Sequence, residues 1–464
     1  MASKLYAYQQ EGAEWLASKR AALLAWQMGT GKTPTAVSAC DLVQAQRILV
    51  LCPAVARPVW RDAFSQWSQR EQHRPVSVLH SAASPVGTQA LASTLIVSYD
   101  LLSRESNGVA AKLSKLHWDV VICDEGHALK SRTATRTKAV YGKKCDGKSG
   151  IAAQAKFVWI LTGTPVLNHA DELWTHLHAL APELIQYTPG WSMPYLMFTE
   201  RFCQLQPTPF GNKIVGSRNA LDLANRMTPF MSKKRKEDVL KDLPPITFGT
   251  VPVSVHDARV DKGLLKEFNE AYAKVAPMVA NFDTPDPELF LSQLRGAALA
   301  LASERRLTGL LKAPVAAELI HNDLKDNDEK MIVFAQHSAV IDTLMYDLAA
   351  YAPVKIDGRT SHSERDAAIK SFQNDPTCRI FVGQLQAAST AITLTAASQV
   401  LFVEADWTPA INAQAAARAH RIGQKNAVNA RFVVLDGTMD AHIMKILARK
   451  TADIAEIMDQ PATI

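Results

Sequence analysis

Leu24-Ala25-Trp26-Gln27-Met28-Gly29-Thr30-Gly31-Lys32-Thr33 is the stretch from which the rest of the chain is read. The apolar run Ala21–Ala25 suits a buried strand, and a helix-compatible stretch follows Thr33. A strand, a glycine-rich turn and a helix amino terminus aim backbone N–H groups and the helix dipole at one point, a geometry that cradles phosphates. In that reading Lys32 reaches the outer phosphates and the Thr33 hydroxyl sits on Mg²⁺. The pattern G-x-x-x-x-G-K-[ST] is incomplete, because Trp26 stands where its first glycine belongs. A glycine-rich turn that merely joins strand to helix remains the alternative.

Further along, Asp124-Glu125-Gly126-His127 follows the apolar run Asp119–Cys123. Two adjacent carboxylates at the end of a buried strand are costly unless they serve a cation or a proton. Asp124 is expected to hold Mg²⁺ through water and Glu125 to orient and deprotonate an attacking water. An acidic turn after a strand is common, so the motif gains its meaning from Lys32 upstream. Near the other end, Arg418 and Arg421 stand at i, i+3 and would share one face of a helix. Planar guanidiniums there can stabilise charge on a transferring phosphoryl group, the alternative being a solvated basic face.

Short apolar runs recur on both sides of a middle region. In the first half they are Arg47–Cys52, Thr94–Tyr99, Asp119–Cys123 and Phe157–Thr162. In the second half they are Lys330–Ala335, Pro353–Asp357, Arg379–Gly383, Val400–Glu404 and Ala430–Leu435. Continuous Val/Ile/Leu runs of this length suit strands buried on both faces, and their alternation with longer amphipathic stretches reads as two α/β lobes. The middle region carries helical patterns at Lys262–Val275 and Glu288–Arg306, with the proline-bearing segments Pro207–Gly216 and Leu243–Pro252 read as connections.

The 464 residues carry 51 Lys+Arg against 45 Asp+Glu, a net charge of +6 that permits a polyanionic partner. With 47% hydrophobic and 21% charged residues the composition is ordinary for a globular chain. No apolar stretch approaches the roughly 18 residues needed to cross a bilayer, and the amino terminus lacks a secretory layout. Cys40, Cys52, Cys123, Cys145, Cys203 and Cys378 are widely spaced with no C-x-x-C pair, which favours a reducing, intracellular location over a disulfide framework.

Taken together the motifs resemble the helicase-type motor ATPases of superfamily two, and specifically the Swi/Snf-type DNA translocases. Tyr8-Gln9-x-x-Gly12-x-x-Trp15-Leu16 looks like the family's adenine-reading start, with Gln9 as its glutamine. Met28, Gly29, Thr30, Gly31, Lys32 and Thr33 lie in motif I. Cys52-Pro53 through Trp60 is similar to motif Ia, and Val97-Ser98-Tyr99-Asp100 to the next DNA-facing segment. Motif II is Asp124–His127, continued by Leu129-Lys130-Ser131. Leu161-Thr162-Gly163-Thr164-Pro165 resembles motif III, followed by Asn168 and Glu172-Leu173. Lys233-Lys234-Arg235-Lys236 through Pro245 looks like the basic segment that closes the first lobe. Val333–His337 resembles motif IV, Asp357–Arg365 the segment after it, and Trp407-x-Pro409 leads into His420-Arg421-Ile422-Gly423-Gln424, motif VI. In style Val333–His337 and Gln414–Gln424 are nearest the fork-remodelling, annealing-helicase (HARP-like) branch. The sequence departs from the family in two places. Acidic residues are usual where Trp26 and Gln27 stand, and a glycine pair is usual before Leu-Thr-Ala, where this chain reads Ala388-Ser389-Thr390-Ala391-Ile392-Thr393-Leu394-Thr395.

The resemblance implies an α/β fold of two RecA-like parallel-sheet lobes with a largely helical insertion between the core motifs. The expected divisions are a first lobe over 1–168, a helical insertion and closure of that lobe over 169–245, a linker and helical insertion over 246–329, and a second lobe over 330–464. The implied activity is ATP-dependent translocation on double-stranded DNA, remodelling DNA or nucleoprotein, with forks or annealing substrates among the candidates. ATP and Mg²⁺ would bind between the lobes, with Lys32, Asp124, Glu125, Arg418 and Arg421 catalytic. His127, Thr162, Gly163, Thr164 and Gln414 would couple the nucleotide to DNA, and Pro53, Ser98, Thr393, Thr395 and Trp407 would meet the DNA, mainly at phosphates. The motor would act as a monomer. A strand-separating DNA or RNA helicase and a catalytically weak DNA-binding scaffold are the rival readings. The short, tail-free layout suggests a prokaryotic or viral, cytoplasmic setting, and a nuclear one if eukaryotic.

Other features have plainer readings. Trp159, Trp174 and Trp191 suit packing more than base stacking, and His169, His176 and His178 lack the spacing of a metal site. The basic loop containing Lys138, Lys143, Lys144 and Lys148 suits either a phosphate-backbone contact or a solvated loop.

Overall fold

The structure is a computed structural model that describes residues 5–69, 75–81, 94–104, 106, 108–166, 169–208, 211–254, 262–280, 298–388 and 392–458. The chain divides into two compact units, the first ending at Lys241 and the second running from Asp242 to Ala455.

The first unit is built on seven parallel strands in the order β11-β1-β6-β5-β2-β4-β3. They are β1 (Ala21–Trp26), β2 (Ile48–Cys52), β3 (Val76–Val78), β4 (Thr94–Ser98), β5 (Trp118–Asp124), β6 (Ala155–Leu161) and β11 (Met231–Lys234). β2 and β4 are buried at every position. That is what a sheet covered on both faces demands of its residues. Helices α1 (Ala7–Ala17), α2 (Lys32–Leu42) and α3 (Arg57–Trp67) belong to this unit. Two antiparallel ribbons stand outside the sheet, β7 (Gln186–Thr188) with β8 (Trp191–Ser192), and β9 (Cys203–Thr208) with β10 (Gly211–Ser217).

The second unit holds six parallel strands in the order β12-β17-β16-β13-β15-β14. They are β12 (Ile246–Val253), β13 (Met331–Ala335), β14 (Val354–Ile356), β15 (Ile380–Gln384), β16 (Gln399–Phe402) and β17 (Val428–Leu435). Alternation along β13 divides its side chains between two cores. Met331, Val333 and Ala335 join the layer containing Leu311, Ile320 and Leu344, while Ile332 and Phe334 join Phe372, Phe381 and Phe402. The helix Ala298–Leu324 supplies Leu307, Leu311, Ala316 and Ile320 to the first layer.

Every apolar run singled out in the sequence is a strand. Two segments read as connections are strands as well. Leu243–Pro252 contains most of β12, paired in parallel with β17 over eight residues. Its alternating exposure and its Gly249 and Pro252 belong to an edge strand, where a proline costs no ladder bond on the open side. Pro207–Gly216 is most of the β9–β10 ribbon, with Pro207 opposite Asn212. The helix expected over Lys262–Val275 spans Lys262–Ala280. Of Glu288–Arg306, only Ala298 onward lies within the described residues, and there the helix continues to Leu324 with Pro314 inside it. All six cysteines are buried and free. Among the described residues no helix is long and apolar enough to cross a membrane.

Trp26, the residue that breaks the phosphate-loop pattern, is fully buried at the end of β1. Its indole N–H donates to Ser232 Oγ at 3.0 Å, joining β1 to β11 through side chains as well as backbone. A Cβ on Gly12 of α1 would stand 2.2 Å from the Trp26 ring, so Gly12 is what lets α1 lie on that indole. Gly12→Ala should therefore destabilise by about 1–3 kcal/mol despite its better helix propensity. In a double-mutant cycle read by denaturant melts, Trp26→Phe should absorb part of that cost; strict additivity would show that the two residues do not share the space.

In the second unit Glu304 is fully buried. Its Oε1 accepts from Thr308 Oγ1 at 3.0 Å and from the Met439 N–H at 3.4 Å, and Oε2 has no partner among the described residues. Burial pushes this carboxyl up to about 7. A folded-state value above the unfolded one means that stability is full below the ordinary carboxylate range and is lost as pH rises through 7. Glu304→Gln should raise the melting temperature at pH 8, with a gain on the order of 2–3 kcal/mol, and add little at pH 4.

Candidate active site

Beyond β1 the backbone turns through Gly29 and Gly31, at φ 82° and 84°, and α2 opens at Lys32. Left-handed backbone at both glycines points the loop's N–H groups inward ahead of the helix amino terminus. Thr30 is buried between them, and its carbonyl accepts from Tyr8 Oη at 2.8 Å and Gln9 Nε2 at 3.0 Å. A Cβ on Gly31 would meet Gln9 Nε2 at 2.1 Å. The glutamine therefore braces the loop directly, while its own Oε1 accepts from the Tyr6 N–H. Burial drives the Tyr8 hydroxyl up to about 12, so it stays a donor at neutral pH. Lys32 Nζ rests on the Trp26 carbonyl at 2.9 Å, and Thr33 stands half-buried in the first turn of α2. Met28 lines the same loop, and a Cβ on Gly163 would come within 2.8 Å of its side chain, so motif III packs on motif I.

β5 ends at Asp124, and Glu125 adopts a left-handed conformation at φ 48°. A non-glycine residue there stores strain, as functional positions often do. Glu125 Oε2 accepts from Thr162 Oγ1 at 3.4 Å and lies 3.3 Å from His127 Nδ1. His127 Nδ1 is also 3.3 Å from Thr162 Oγ1, which accepts from the Thr164 N–H at 3.1 Å. Glu125, His127, Thr162 and Thr164 thus form one connected cluster, with Gly163 against Met28. Next to it Lys130 Nζ pairs with the buried Glu172 at 2.5 Å.

Asp124 is gripped from two sides. Trp60 Nε1 donates to Oδ2 at 2.8 Å, and Tyr99 Oη donates to the Asp124 carbonyl at 2.9 Å. Burial and the neighbouring Glu125 charge raise the Asp124 carboxyl to about 6, against the opposing pull of the Trp60 bond and the Lys32 ammonium. Motif I and motif II therefore share one electrostatic environment. A hydroxyl from Thr33 and a carboxylate from Asp124 are hard oxygen donors of the kind that suit Mg²⁺ completed by substrate phosphates.

In the second unit the helix Pro409–Ala416 ends before the arginines it was expected to carry. Its last turn tightens into i→i+3 bonds, Arg418 N to Ala415 O and Ala419 N to Ala416 O. Arg418 and Arg421 lie in the turns that follow, yet both reach one acceptor. Arg421 Nη1 donates to Ile392 O at 2.8 Å and Thr393 Oγ1 at 2.9 Å, and Arg418 Nη1 to Ile392 O at 3.5 Å. Arg418 Nε also donates to the carbonyl of the buried Gln414. Gln424 locks the turn, its Nε2 on Ala397 O and Ala419 O and its Oε1 receiving the Lys425 and Asn426 N–H groups.

The residues expected to meet DNA differ in their surroundings. Pro53 is half-buried after β2, Ser98 is buried at the end of β4, and Thr393 is exposed beside Arg421. Thr395 accepts from Gln373, and the Trp407 ring lies under the Arg305 guanidinium at 4.9 Å. Asn168, Ser389, Thr390 and Ala391 fall outside the described residues. Sequence reading missed the role of Trp60 and Tyr99, and that of Glu404. The Glu404 carboxylate receives the N–H groups of Gln336 and His337 and pairs with His337 Nδ1 at 2.6 Å, fixing motif IV. Only the tryptophan's position in motif Ia could have flagged it.

Trp60→Phe keeps the apolar bulk and deletes the donor on Asp124. Loss of such an outer partner typically costs 10–100-fold in metal affinity. The Mg²⁺ needed to half-saturate nucleotide binding, followed with a fluorescent ATP analogue, should rise by about that factor. Binding without Mg²⁺ should be unchanged.

Residues 8–261 match the SNF2-related domain, and residues 312–423 match the helicase conserved C-terminal domain. The chain is 27% identical over 458 residues to the DNA annealing helicase and endonuclease ZRANB3 of Bos taurus, covering 97% of this chain and 40% of that protein. It is 28% identical to the SWI/SNF-related matrix-associated actin-dependent regulator of chromatin subfamily A-like protein 1 of Xenopus tropicalis, covering 97% of this chain and 44% of that protein. The chain thus spans about two fifths of the length of the curated relatives it matches. Among solved structures, the Sulfolobus solfataricus SWI2/SNF2 ATPase core in complex with dsDNA aligns at TM-score 0.44 and 21% identity, over 100% of this chain and 94% of that one. With more than half its length matched by that domain, the chain belongs to the SNF2-related family.

Proposed function

We propose that this chain is a DNA-dependent ATPase that translocates on duplex DNA, hydrolysing ATP at motifs I and II. The observation that carries the reading is the connected cluster at the end of β5. Glu125 is held in strained backbone with its carboxylate on Thr162 and His127, and Asp124 beside it feels the Lys32 ammonium.

In this reading the loop from Gly29 to Gly31 offers backbone N–H groups to the phosphates, and Lys32 leaves the Trp26 carbonyl to meet them. Thr33 and Asp124 would hold Mg²⁺, which would supply neutralising positive charge to the phosphates. Glu125 accepts the proton of the attacking water, with Thr162 and His127 fixing its carboxylate. Arg418 and Arg421 supply positive charge to the transferring phosphoryl group. Because Thr162 touches Glu125 and Gly163 packs on Met28, a displacement of motif III reaches both the base and the phosphate loop. DNA contacts would run mainly to phosphates, making binding salt-sensitive and largely indifferent to sequence. The similarity to a DNA annealing helicase favours annealing of DNA as the use to which the motor is put.

ATPase rate measured with no nucleic acid, duplex DNA, single-stranded DNA, forked DNA and RNA tests the proposal. Stimulation should be strongest with duplex or fork. Glu125→Gln should reduce the stimulated rate by about 10²–10⁴-fold, the range for a general base, and Lys32→Ala should abolish it. Stimulation by RNA alone would move the chain to the strand-separating reading. No turnover with any substrate would leave a DNA-binding scaffold.

A further inference from the structure

We infer that the nucleotide site of the first unit accepts purine nucleoside triphosphates without selecting adenine, because Gln9, the residue that the sequence offers as its adenine reader, is engaged inside the protein. This inference rests on the ATPase reading above and names its substrate class. A carboxamide reads adenine with two prongs, its nitrogen donating to N7 and its oxygen accepting from the N6 amino group. Guanine and hypoxanthine carry an oxygen in place of that amino group. A two-pronged reader therefore separates them from adenine by about 5- to 150-fold.

Both prongs of Gln9 are occupied. Nε2 donates to the Thr30 carbonyl at 3.0 Å, with Tyr8 Oη a second acceptor at 3.3 Å. Oε1 accepts from the Tyr6 N–H at 3.0 Å, closing the first turn of α1. The donor and acceptor that would face N7 and the amino group thus face a backbone carbonyl and a backbone N–H. Gln9 is 3% exposed, and its nitrogen stands 2.1 Å from the place a Cβ on Gly31 would take. Turning the amide out toward a base would break the bond to the loop and the bond to the helix start together.

What this end of α1 offers a base is a ring face. Tyr6 stacks on Tyr8 at 5.8 Å and 19° and is 49% exposed. Tyr8 in turn is fixed to the phosphate loop by its hydroxyl, 2.8 Å from the Thr30 carbonyl. Stacking tolerates every base, since each has a π face, and a purine covers more of the ring than a pyrimidine does. Gln9 acts on the reaction through the loop, by setting the Thr30 carbonyl and packing on Gly31. It is a positioning residue for the N–H groups that meet the phosphates. Because all nucleoside triphosphates share those phosphates, its contribution is the same whatever the base.

The test measures duplex-stimulated hydrolysis of ATP, GTP and inosine triphosphate by the whole chain, and the displacement of a fluorescent ATP analogue by each in the presence of Mg²⁺. For wild type, kcat/KM and affinity for GTP and inosine triphosphate should lie within about five-fold of those for ATP, below the range of a two-pronged reader. A larger preference for ATP overturns the inference and leaves the motor reading intact. Gln9→Glu keeps the side chain's shape and its acceptor for the Tyr6 N–H but turns a carboxylate oxygen on the Thr30 carbonyl. It should lower kcat/KM for ATP and GTP by the same factor, about ten-fold or more. A loss confined to ATP would make Gln9 a base reader, and no loss with either nucleotide would remove its role in the loop; each overturns the inference. If thermal melts show that this variant does not fold, the wild-type comparison decides alone. No hydrolysis of any of the three nucleotides with duplex overturns the motor reading itself, and the displacement assay still decides the inference.

Discussion

Two adjacent carboxylates at the end of a strand buried on both faces are the constraint around which the first unit is arranged. Burial and the neighbouring Glu125 charge push the Asp124 carboxyl up to about 6 even with the Trp60 bond and the Lys32 ammonium opposing them. Motif II is held by elements far apart in sequence: an indole from α3 on the Asp124 carboxylate, a phenol following β4 on its backbone carbonyl, an ammonium from the head of α2 and a hydroxyl beyond β6 on Glu125. Each of these reaches motif II only if the strand order β1-β6-β5-β2-β4 is kept. The sheet topology is thus the means by which four segments address one pair of residues.

The phosphate loop is braced in a similar way, by packing rather than by charge. At the end of β1 and the start of this loop the chain has Trp26 and Gln27. Trp26 fills the space under α1, and Lys234 stands over both the Trp26 and Tyr8 rings, at 5.6 and 5.9 Å. Gln27 Oε1 receives the Lys236 N–H at 2.9 Å, tying the loop to the residue just past β11. The basic run Lys233–Lys236 is therefore partly spent on holding the loop from behind. Tyr8 and Gln9 hold it from the front, through the Thr30 carbonyl. A loop fixed on both sides keeps its donors oriented whether or not a phosphate is present, which lowers the reorganisation needed on binding.

Much of this was legible in the sequence because it rests on local rules. Buried parallel strands read as continuous apolar runs, and all those runs are strands. What escaped were the features set by tertiary context. β12 and the β9–β10 ribbon are interrupted by Pro252, Gly249 and Pro207, and edge position makes those residues tolerable. The turn carrying Arg418 and Arg421 has helical spacing and Ala-rich flanks, but the side chain of Gln424 closes it early by taking up the carbonyls of Ala397 and Ala419. Trp60 looked like part of a DNA-facing motif, and its indole N–H points instead at a carboxylate sixty-four positions away. Nor does sequence announce that Glu125 sits at positive φ, or that Gly126 lies so close to Ile160 that a Cβ there would stand 2.1 Å from its side chain.

The second unit makes the same point with a carbonyl in place of a carboxylate. Arg418 and Arg421 converge on Ile392 O, and the nitrogen of Arg421 that does so also holds Thr393 Oγ1. The chain returns the connection through Leu394 N, which donates to the Arg418 carbonyl at 2.9 Å. Motifs V and VI are consequently one hydrogen-bonded body, and neither arginine can shift without disturbing the segment from Ile392 to Leu394.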